Sequence, residues 1–420
     1  MAYTFQRRSF SPSRAGVLSA LSGAALCGTL LGVACDSSDD IDVVGAGSGG
    51  GAGMGASAGS GGDAGSGGSG GSGDAGPSGP SGTLKVLSTA AGLRAPTTAA
   101  VRGNNLWVVN GQLSGLFGGP APMQPFNVVS LPLTGGDLTD AVVVLPGDTF
   151  YPEGIAAAAD GTLYVGSLNL GTVVKVPADS TTASAFVAPG VAQRGVVGLT
   201  VDDTRNLLWF CDSNPLSTAP TGAIVGVSLD DGTEVVRHAM PNPGSGTAPG
   251  AGALDAGADA GADAGDAGAP PPAAGVATFC NDLIVDATGN IFATDSSGRI
   301  FRVPTASVMT ANSASVWLSV PAIAPPMPGG FGANGIDIVG GTMIIANGGL
   351  VAVDPNSNNP AATVRTISLT LDGAPATLCG PDGLQAVPGS MTDLVVVENG
   401  GCANPPGGDG DRVVRITLDL

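Results

Sequence analysis

Histidine is almost absent from the sequence, since His238 is the only one among 420 residues. A single imidazole excludes histidine-ligated zinc clusters, Ser-His-Asp triads and His-His dyads. Basic residues are also scarce, because 15 Lys and Arg stand against 34 Asp and Glu and leave a formal net charge of −19. A surface of that charge repels phosphate backbones, so we expect no nucleic-acid partner.

Aromatic residues make up only 4% of the chain, and charged residues only 12%. In their place stand 70 Gly and 32 Pro, which are too many breakers for a helical protein. Apolar residues nevertheless reach 43%, and many of them are Val, Ile and Leu. This combination predicts an all-β fold that is built from many short strands.

Residues 1–35 are organised like an export signal, or signal peptide. Three arginines, the last of them Arg14, precede an apolar stretch that ends at Cys35 and that Gly and Ser interrupt too often for a good membrane-spanning helix. The run before Cys35 resembles a bacterial lipobox. It implies an exported lipoprotein, periplasmic or at the cell surface, that is held on a membrane by its lipid alone. An ordinary cleaved secretory signal and twin-arginine export through Arg7 and Arg8 stay open as alternatives.

Two further segments have a composition that cannot bury enough apolar surface to fold. Residues 36–82 are almost entirely Gly, Ser, Ala and Asp and predict a disordered tether, with a reach of about 35–40 Å. Residues 241–275 repeat Asp-Ala-Gly and predict a disordered acidic insert, because they lack the nonapeptide spacing of calcium β-rolls. We therefore expect the folded domain over residues 83–420, interrupted by this insert.

A strand of about five residues that ends in a polar residue recurs along the folded region. Its copies begin at Leu106, Leu163, Leu208, Ile291, Met343 and Leu394. The copies are 45 to 57 residues apart, except for one step of 83 that falls to 48 when the 35-residue insert is removed. Such a period predicts six repeated structural units.

Each unit has room for an alternating strand before the recurring one and for two strands after it. We expect fourth strands over residues 141–145, 184–187, 233–237, 315–320 and 363–369. The last unit has only three strands, and residues 83–88, directly after the tether, can supply its fourth. Four-stranded units closed by an N-terminal strand predict a six-bladed β-propeller. The alternative, a jelly roll or sandwich, has no regular period of this length.

In a propeller the residues just before the innermost strands converge on one mouth of the central channel. In register they are Pro96 or Thr97, Glu153, Val197, Asn281, Asn334 and Asp382. Four of these positions carry carboxylate or amide oxygens, which suit a hard divalent cation such as Ca²⁺ or Mg²⁺. The alternative is that Asn-Gly and Asp-Gly are ordinary turn dipeptides.

The polar residues that end the recurring strands fall on the same face in this register. They are Asn110, Ser167, Asp212, Asp295, Asn347 and Glu398. We expect them to cap the neighbouring loops, because short polar side chains bond readily to turn backbone.

The four oxygen donors stand in a Glu-Gly, an Asn-Asp, an Asn-Gly and a Pro-Asp-Gly step, in that order. In this they resemble the senescence marker protein-30, gluconolactonase and luciferin-regenerating enzyme family, six-bladed propellers with one divalent metal at the channel mouth. The resemblance covers residues 83–420 without the insert. It implies that Glu153, Asn281, Asn334 and Asp382 bind one divalent ion, with Ca²⁺ first and Mg²⁺, Mn²⁺ or Zn²⁺ as alternatives.

The same resemblance implies hydrolysis of a lactone or related ester, with Asp382 as the base toward water. Gln193 and Arg194, in the loop before Val197, are the nearest candidates for binding substrate, or else solvated loop residues. Phe279 stands where the sugar-lactone hydrolases carry Arg, which argues against gluconolactone. Paraoxonase-like and streptogramin-lyase-like chemistry call for active-site histidines, and strictosidine-synthase-like propellers are relatives in fold only.

Four cysteines remain after the leader, in an exported and oxidising setting. They are Cys211, Cys280, Cys379 and Cys402. Three connectivities are open to them. Because the register brings all four near the metal-site face, we favour Cys211 with Cys280 and Cys379 with Cys402. A nucleophilic cysteine is not expected without a histidine partner.

Two functions of different class fit these observations. One is a lipid-anchored, metal-dependent hydrolase of a small-molecule lactone or ester. The other is a non-catalytic, NHL-like propeller that binds a cell-envelope ligand or partner protein, because the fold alone does not choose between them. We expect a monomer in either case.

Overall fold

The computed structural model describes residues 79–189, 195–213, 222–242, 278–326, 330–399 and 411–420. The expected leader with Cys35, nearly all of the tether and of the acidic insert, and Gln193, Arg194 and Cys402 lie outside these residues. Within the described ranges no helix has both the length and the apolar character needed to cross a membrane.

The first strand of the chain, β1 (Ser81–Ser88), belongs to the sheet of the last blade. Five four-stranded sheets then follow in chain order. The first holds β2 (Pro96–Arg102), β3 (Asn105–Asn110), β4 (Asn127–Pro132) and β5 (Val142–Val144). The second holds β6 (Pro152–Ala157), β7 (Leu163–Ser167), β8 (Val173–Val176) and β9 (Ser184–Val187). The third holds β10 (Val196–Asp202), β11 (Leu207–Asp212), β12 (Gly222–Ser228) and β13 (Glu234–Met240).

The second half of the chain repeats the pattern. The fourth sheet holds β14 (Cys280–Val285), β15 (Ile291–Asp295), β16 (Arg299–Val303) and β17 (Ser315–Leu318). The fifth holds β18 (Ile336–Val339), β19 (Thr342–Ala346), β20 (Leu350–Val353) and β21 (Arg365–Thr366). A hairpin of β22 (Ser368–Leu371) and β23 (Ala374–Ala376) precedes β24 (Pro381–Ala386), β25 (Asp393–Asn399) and β26 (Asp411–Asp419). Short 3₁₀ helices cover Leu113–Phe117, Thr305–Ser307, Pro321–Ile323 and Pro360–Thr363.

The six sheets close into a ring, which confirms the six-bladed β-propeller. The innermost strands β2, β6, β10, β14, β18 and β24 contact one another in that order, and β24 also contacts β2. The last blade is completed by the N-terminal strand, because β1 pairs antiparallel with β26 from Ser81 opposite Asp419 to Ser88 opposite Val413. This pairing joins the two ends of the folded region and confirms the expected closure.

One predicted strand is divided between two blades. The sequence predicts a single fourth strand over residues 363–369, but only Arg365 and Thr366 pair with β20. The chain then crosses at the buried Ile367, and β22 pairs parallel with β1, Ser81 opposite Ser368. The last sheet therefore has six strands rather than four. The physical reason is that β1 presents a free outer edge, and an unpaired edge is satisfied by the nearest extended segment.

The core lies between the blades rather than within any one of them. Each of the six hydrophobic clusters in the described residues is built from two neighbouring blades. On β11, Trp209 faces the fourth blade while Leu208 and Phe210 face the second, because successive side chains of a strand point to opposite faces. Burial on both faces explains why these strands are nearly continuous apolar runs in the sequence.

Candidate metal centre at the mouth of the propeller

A backbone irregularity recurs at the start of the innermost strands. In five of the six innermost strands the pairing register shifts between the first and the fourth residue of the strand. The shifts lie at Pro96/Ala99, Pro152/Ile155, Val196/Leu199, Cys280/Leu283 and Pro381/Leu384. Such bulges re-aim side chains and are common beside functional sites. Glu153, Asn281 and Asp382 each occupy the second position of a strand and therefore lie inside a bulge. Asn334 precedes β18, where its own N–H bonds to the carbonyl of Ala346 at 3.0 Å.

The glycines that follow Glu153, Val197, Asn334 and Asp382 are not turn glycines. Gly154, Gly198, Gly335 and Gly383 all lie outside the set of residues with positive φ. A Cβ atom on any of these four glycines would overlap the next blade: Gly154 would meet Val197, Gly198 the carboxylate of Asp282, Gly335 the carbonyl of Asp382, and Gly383 Thr98. The turn-dipeptide alternative is therefore wrong at these positions, and glycine is required because the next blade approaches closely.

Side chains join the two remaining pairs of blades at the same level. The hydroxyl of Thr97 donates to the carbonyl of Glu153 at 2.7 Å, which joins the first blade to the second. Oδ2 of Asp282 accepts the N–H of Ile336 at 3.2 Å, which joins the fourth blade to the fifth. A continuous ring of short contacts thus sets the positions of the mouth residues.

The structure brings the four predicted oxygen donors together. Glu153, Asn281, Asn334 and Asp382 line one small cavity, with Thr97, Thr98 and Asp282 between them. Its volume is about 10 Å³, which is the room of one water molecule or a single ion. We call this cavity the floor.

Hydrogen bonds orient the two amides toward the floor. Asn281 donates its Nδ2 to the hydroxyl of Ser296 at 3.0 Å, and that hydroxyl donates to the carbonyl of Ala333 at 3.2 Å. Asn334 donates a side-chain hydrogen bond to Asp382. With the amide nitrogens engaged as donors, the carbonyl oxygens of Asn281 and Asn334 remain as acceptors for a ligand in the floor.

Glu153 is the least satisfied group of the floor. Its side chain is buried, and its Oε2 has no hydrogen-bond partner among the residues that the structure describes. Burial first, and then the negative charges of Asp382 and Asp282, raise the pKa of Glu153 well above its ordinary value. An unpartnered carboxylate oxygen beside two further carboxylates is a costly arrangement that a bound cation would relieve.

The other carboxylates of the channel are shifted in the same direction. Burial raises the pKa of Asp382 to about 7, although hydrogen bonds from Asn334 and Asn399 partly offset it. Burial likewise raises the pKa of Asp282 to about 7 and that of Asp337, deeper in the channel, to about 6. None of the ion pairs in the described ranges involves these groups.

The donor chemistry fits a hard cation only when the amides are counted. No three His, Cys, Asp or Glu side chains of the described residues are grouped so that they could hold a metal. The floor instead combines the carboxylates of Glu153 and Asp382 with the amide oxygens of Asn281 and Asn334. Mixed carboxylate and amide oxygens, with water completing the shell, are a ligand set of calcium sites.

Asn399 is a site residue that sequence reasoning missed. Its Nδ2 donates to Oδ2 of Asp382 at 2.5 Å, and its N–H donates to the carbonyl of Gly380 at 3.2 Å. The signal was its place directly after Glu398, one of the polar strand ends. Glu398 itself is turned away from the cavity and paired with Arg412.

The polar strand ends cap loops, as expected, but mostly the loops that lead into the innermost strands. Asn110 donates to the carbonyl of Gly92, and Asp295 accepts the N–H of Phe279, each at 2.9 Å. Asn347 donates to the carbonyl of Ala322 at 2.8 Å, and Glu398 accepts the N–H of Cys379. These bonds arise because the end of each recurring strand lies beside the start of the innermost strand of its own hairpin.

Three disulfide-bonded cysteines lie at this face. Cys211, at the end of β11, is bonded to Cys280, the residue before Asn281, which confirms the expected pair. Cys379 is also disulfide-bonded, and Cys402, its expected partner, lies outside the described residues. The single histidine is elsewhere, because His238 is buried on β13 with Nε2 at 2.9 Å from the carbonyl of Val308.

The fold and this site define a class of protein, a six-bladed β-propeller with buried carboxylates and amides at its mouth. Residues 136–176 match a family model described as strictosidine synthase-like, N-terminal. No curated protein sequence matches the chain significantly.

Solved structures share the architecture. Regucalcin from Agrobacterium tumefaciens, described as a calcium-binding protein, aligns with a TM-score of 0.50 and 13% identity over 79% of this chain and 93% of its own. A streptogramin B lyase aligns with a TM-score of 0.48 and 10% identity, over 80% and 97%. Virginiamycin B lyase from Staphylococcus aureus gives 0.47 and 11%, over 81% and 100%. At 13% identity the likeness to regucalcin is one of fold, and the expected resemblance to senescence marker protein-30 propellers is confirmed at that level.

Proposed function

We propose that the chain is an exported, lipid-anchored propeller that hydrolyses a lactone or related ester with one divalent cation bound at its mouth. The observation that carries the proposal is the buried Oε2 of Glu153, which has no hydrogen-bond partner within the described ranges and lies beside Asp382 and Asp282. Carboxylates in this state, facing two amide oxygens across a cavity of ion size, have the charge and geometry of a cation site.

Glu153, Asp382, Asn281 and Asn334 are the residues that would hold the cation. Ca²⁺ is the first choice because the donors are all oxygens, and because one structural neighbour is described as calcium-binding. A cation bound there would supply Lewis-acid polarisation of the substrate carbonyl.

The remaining roles belong to side chains of this chain. Asp382 faces the floor and accepts the proton of the attacking water. Asn334 and Asn399 both donate to it and so hold the carboxylate in one orientation. Asn281 is fixed by Ser296 and keeps its carbonyl oxygen directed to the floor. Glu153 contributes negative charge rather than proton transfer.

The cysteines support the proposed export. A disulfide between Cys211 and Cys280 persists only in an oxidising compartment such as the periplasm or the cell surface. Lipidation at Cys35 stays a proposal that rests on the leader sequence.

A second candidate function is a non-catalytic propeller that binds a cell-envelope ligand. It is favoured by one observation, that the described residues contain no group of three or more His, Cys, Asp or Glu able to hold a metal. Under this alternative the floor carboxylates are neutralised by protons rather than by a cation.

Thermal unfolding of the full chain tests the proposal. The protein is treated with a chelator and then given Ca²⁺, Mg²⁺, Mn²⁺ or Zn²⁺, and turnover is followed on a panel of lactones and aryl esters. The proposal expects a metal-dependent rise of the thermal midpoint and metal-dependent turnover, with Asp382→Asn inactive. Turnover without any metal, or neither stabilisation nor turnover, would exclude a metal-dependent hydrolase.

A further inference from the structure

A second and larger cavity lies directly above the floor. Its volume is about 380 Å³, within the range of roughly 300–1,000 Å³ for small-molecule sites. Glu153, Asn281, Asn334, Asp382 and Asn399 form its base. A ligand in this cavity therefore contacts the candidate metal centre.

The walls of the cavity are apolar. They include Leu113, Phe117, Leu168, Val197, Phe279 and Phe331. Among the described lining residues there is no Lys, Arg or His, and the only ionisable side chains are the two carboxylates of the base. A ligand that carries its own negative charge has no oppositely charged partner among these described wall residues, so burying that charge against them is unfavourable.

Local structure fixes two of the aromatic walls. Gln112 accepts the N–H of Met123 at 2.7 Å and donates to its carbonyl at 3.1 Å, which ties both ends of the β3–β4 loop together. The tie holds the 3₁₀ helix Leu113–Phe117 beside the cavity. Phe279 meets Phe331 edge to face, with ring centroids 5.7 Å apart. This pair forms a second wall with a defined shape.

Two of the aromatic rings that line the cavity, Phe117 and Phe331, are partly exposed to solvent, and a bound apolar group would cover them. Phe117 is 50% exposed and Phe331 is 53% exposed, although both line a concave site. When an apolar group covers a large aromatic side chain at the rim of a cavity, apolar surface is removed from water, and this lowers the free energy of the complex. Their exposure therefore favours an apolar group of a ligand at this rim.

We infer that the ligand is an uncharged lactone or ester with an apolar alkyl or aryl substituent, which lies against Phe117, Phe279 and Phe331. The carbonyl end rests on the base of the cavity, and this part of the inference rests on the proposed function. The apolar walls offer no partners for the hydroxyls of a sugar lactone, since burying a hydroxyl without a hydrogen bond is unfavourable.

Binding of a non-hydrolysable analogue tests the inference. The probe is 5-hexylpyrrolidin-2-one, in which an amide replaces the lactone, and 5-(hydroxymethyl)pyrrolidin-2-one is its polar counterpart. Both are titrated calorimetrically into the calcium-supplemented full chain, its Phe331→Ser and Phe117→Ser variants, and Met391→Ser. Met391 is 69% exposed and lies outside the lining of the cavity, so it is a matched control for the loss of an exposed apolar side chain.

The hexyl probe is expected to bind at least about tenfold more tightly than the polar probe. Either Phe substitution should weaken it by about tenfold, as burial of most of one ring implies, while Met391→Ser leaves it unchanged. Equal affinity for the two probes, or an equal loss in Met391→Ser, would overturn the inference. The calcium-dependent thermal shift and turnover of the same preparations report on the proposed function separately. Phe-dependent binding of the hexyl probe without turnover supports this inference while the hydrolase proposal fails.

Discussion

Asn399 donates its side-chain amide to Oδ2 of Asp382 at 2.5 Å. This bond joins the end of β25 to the bulge of β24 and fixes the carboxylate proposed as the base. Asn399→Ala is expected to lower kcat for lactone hydrolysis by about tenfold, because one charge-assisted bond to the base contributes roughly 1.5 kcal/mol. Steady-state kinetics check this, with Asn358→Ala, an exposed asparagine, as the control. If Asn399→Ala abolishes the calcium-induced thermal shift as well, Asn399 acts on the cation rather than on the base.

Glu153→Gln is expected to remove the stabilisation by Ca²⁺. A cation at a hundred times its Kd stabilises the folded protein by about 2.7 kcal/mol, and loss of the carboxylate removes most of this effect. Without Ca²⁺ the variant should be more stable than the wild type, and the difference should grow as the pH rises above the ordinary pKa of Glu, because burial and then the charges of Asp382 and Asp282 raise the pKa of Glu153. Thermal unfolding with and without Ca²⁺ measures both effects. Asp140→Asn removes an exposed charge as the control, and a full calcium shift in Glu153→Gln would argue against this site.

Gly198→Ala is expected to destabilise the protein by about 1–3 kcal/mol, because the added methyl group overlaps Asp282 of the next blade. Gly349→Ala is the matched control, since a Cβ atom there meets no atom within 4 Å and φ is not positive. Urea unfolding of the two variants compares them. Equal stability would mean that the close approach of the third and fourth blades is not what requires glycine.

Reduction of the disulfides is expected to lower the free energy of unfolding. The bond between Cys211 and Cys280 closes a loop with a sequence separation of 69, and loss of such a bond costs about 2–5 kcal/mol. Urea unfolding of the double variant Cys211→Ala/Cys280→Ala isolates this bond from that of Cys379. An unchanged midpoint in the double variant would show that it contributes little to stability.

Asp393 is expected to make the stability of the last blade sensitive to acid, because its carboxylate joins β25 to β26. Hydrogen bonds from Arg415, which bonds at 2.6 Å, and from Thr417 and Ser390 lower the pKa of Asp393 to about 2 from the ordinary 3.8. A carboxyl with a lowered pKa adds stability that is present above pH 4 and is lost as the pH falls toward 2. Asp393→Asn should therefore be less stable than the wild type at pH 7, and the difference should shrink between pH 4 and 2. A constant difference over this range would contradict an ionic contribution.

Local patterns in the sequence predict most of the fold. The strand Leu208–Asp212 and its relatives are apolar because both of their faces are buried between blades, so their recurrence reports the blade period directly. The same register places Glu153, Asn281, Asn334 and Asp382 at one mouth, because every innermost strand of a propeller begins at the same end. These positions depend on spacing alone and were accessible from the sequence.

Contacts between distant segments were not accessible in this way. Which edge receives Ser368–Leu371 depends on β1, which lies almost 290 residues earlier in the chain. The role of Gly198 depends on where the next blade places Asp282, and the role of Asn399 depends on the bulge at Asp382. None of these contacts recurs from blade to blade, so no repeated spacing in the sequence indicates them.

The sequence by itself determined the number of blades, the closure by an N-terminal strand and the common register of the four oxygen donors, because each follows from the repeat. It only favoured the pair Cys211–Cys280 among three open connectivities, and the structure decided it. Only the tertiary structure decided that an oxygen of Glu153 lacks a hydrogen-bond partner in the described part of the chain, and that Phe117, Phe279 and Phe331 surround one cavity. The reason is that burial and cavity shape are properties of surfaces meeting across blades, and such surfaces form only when the ring has closed.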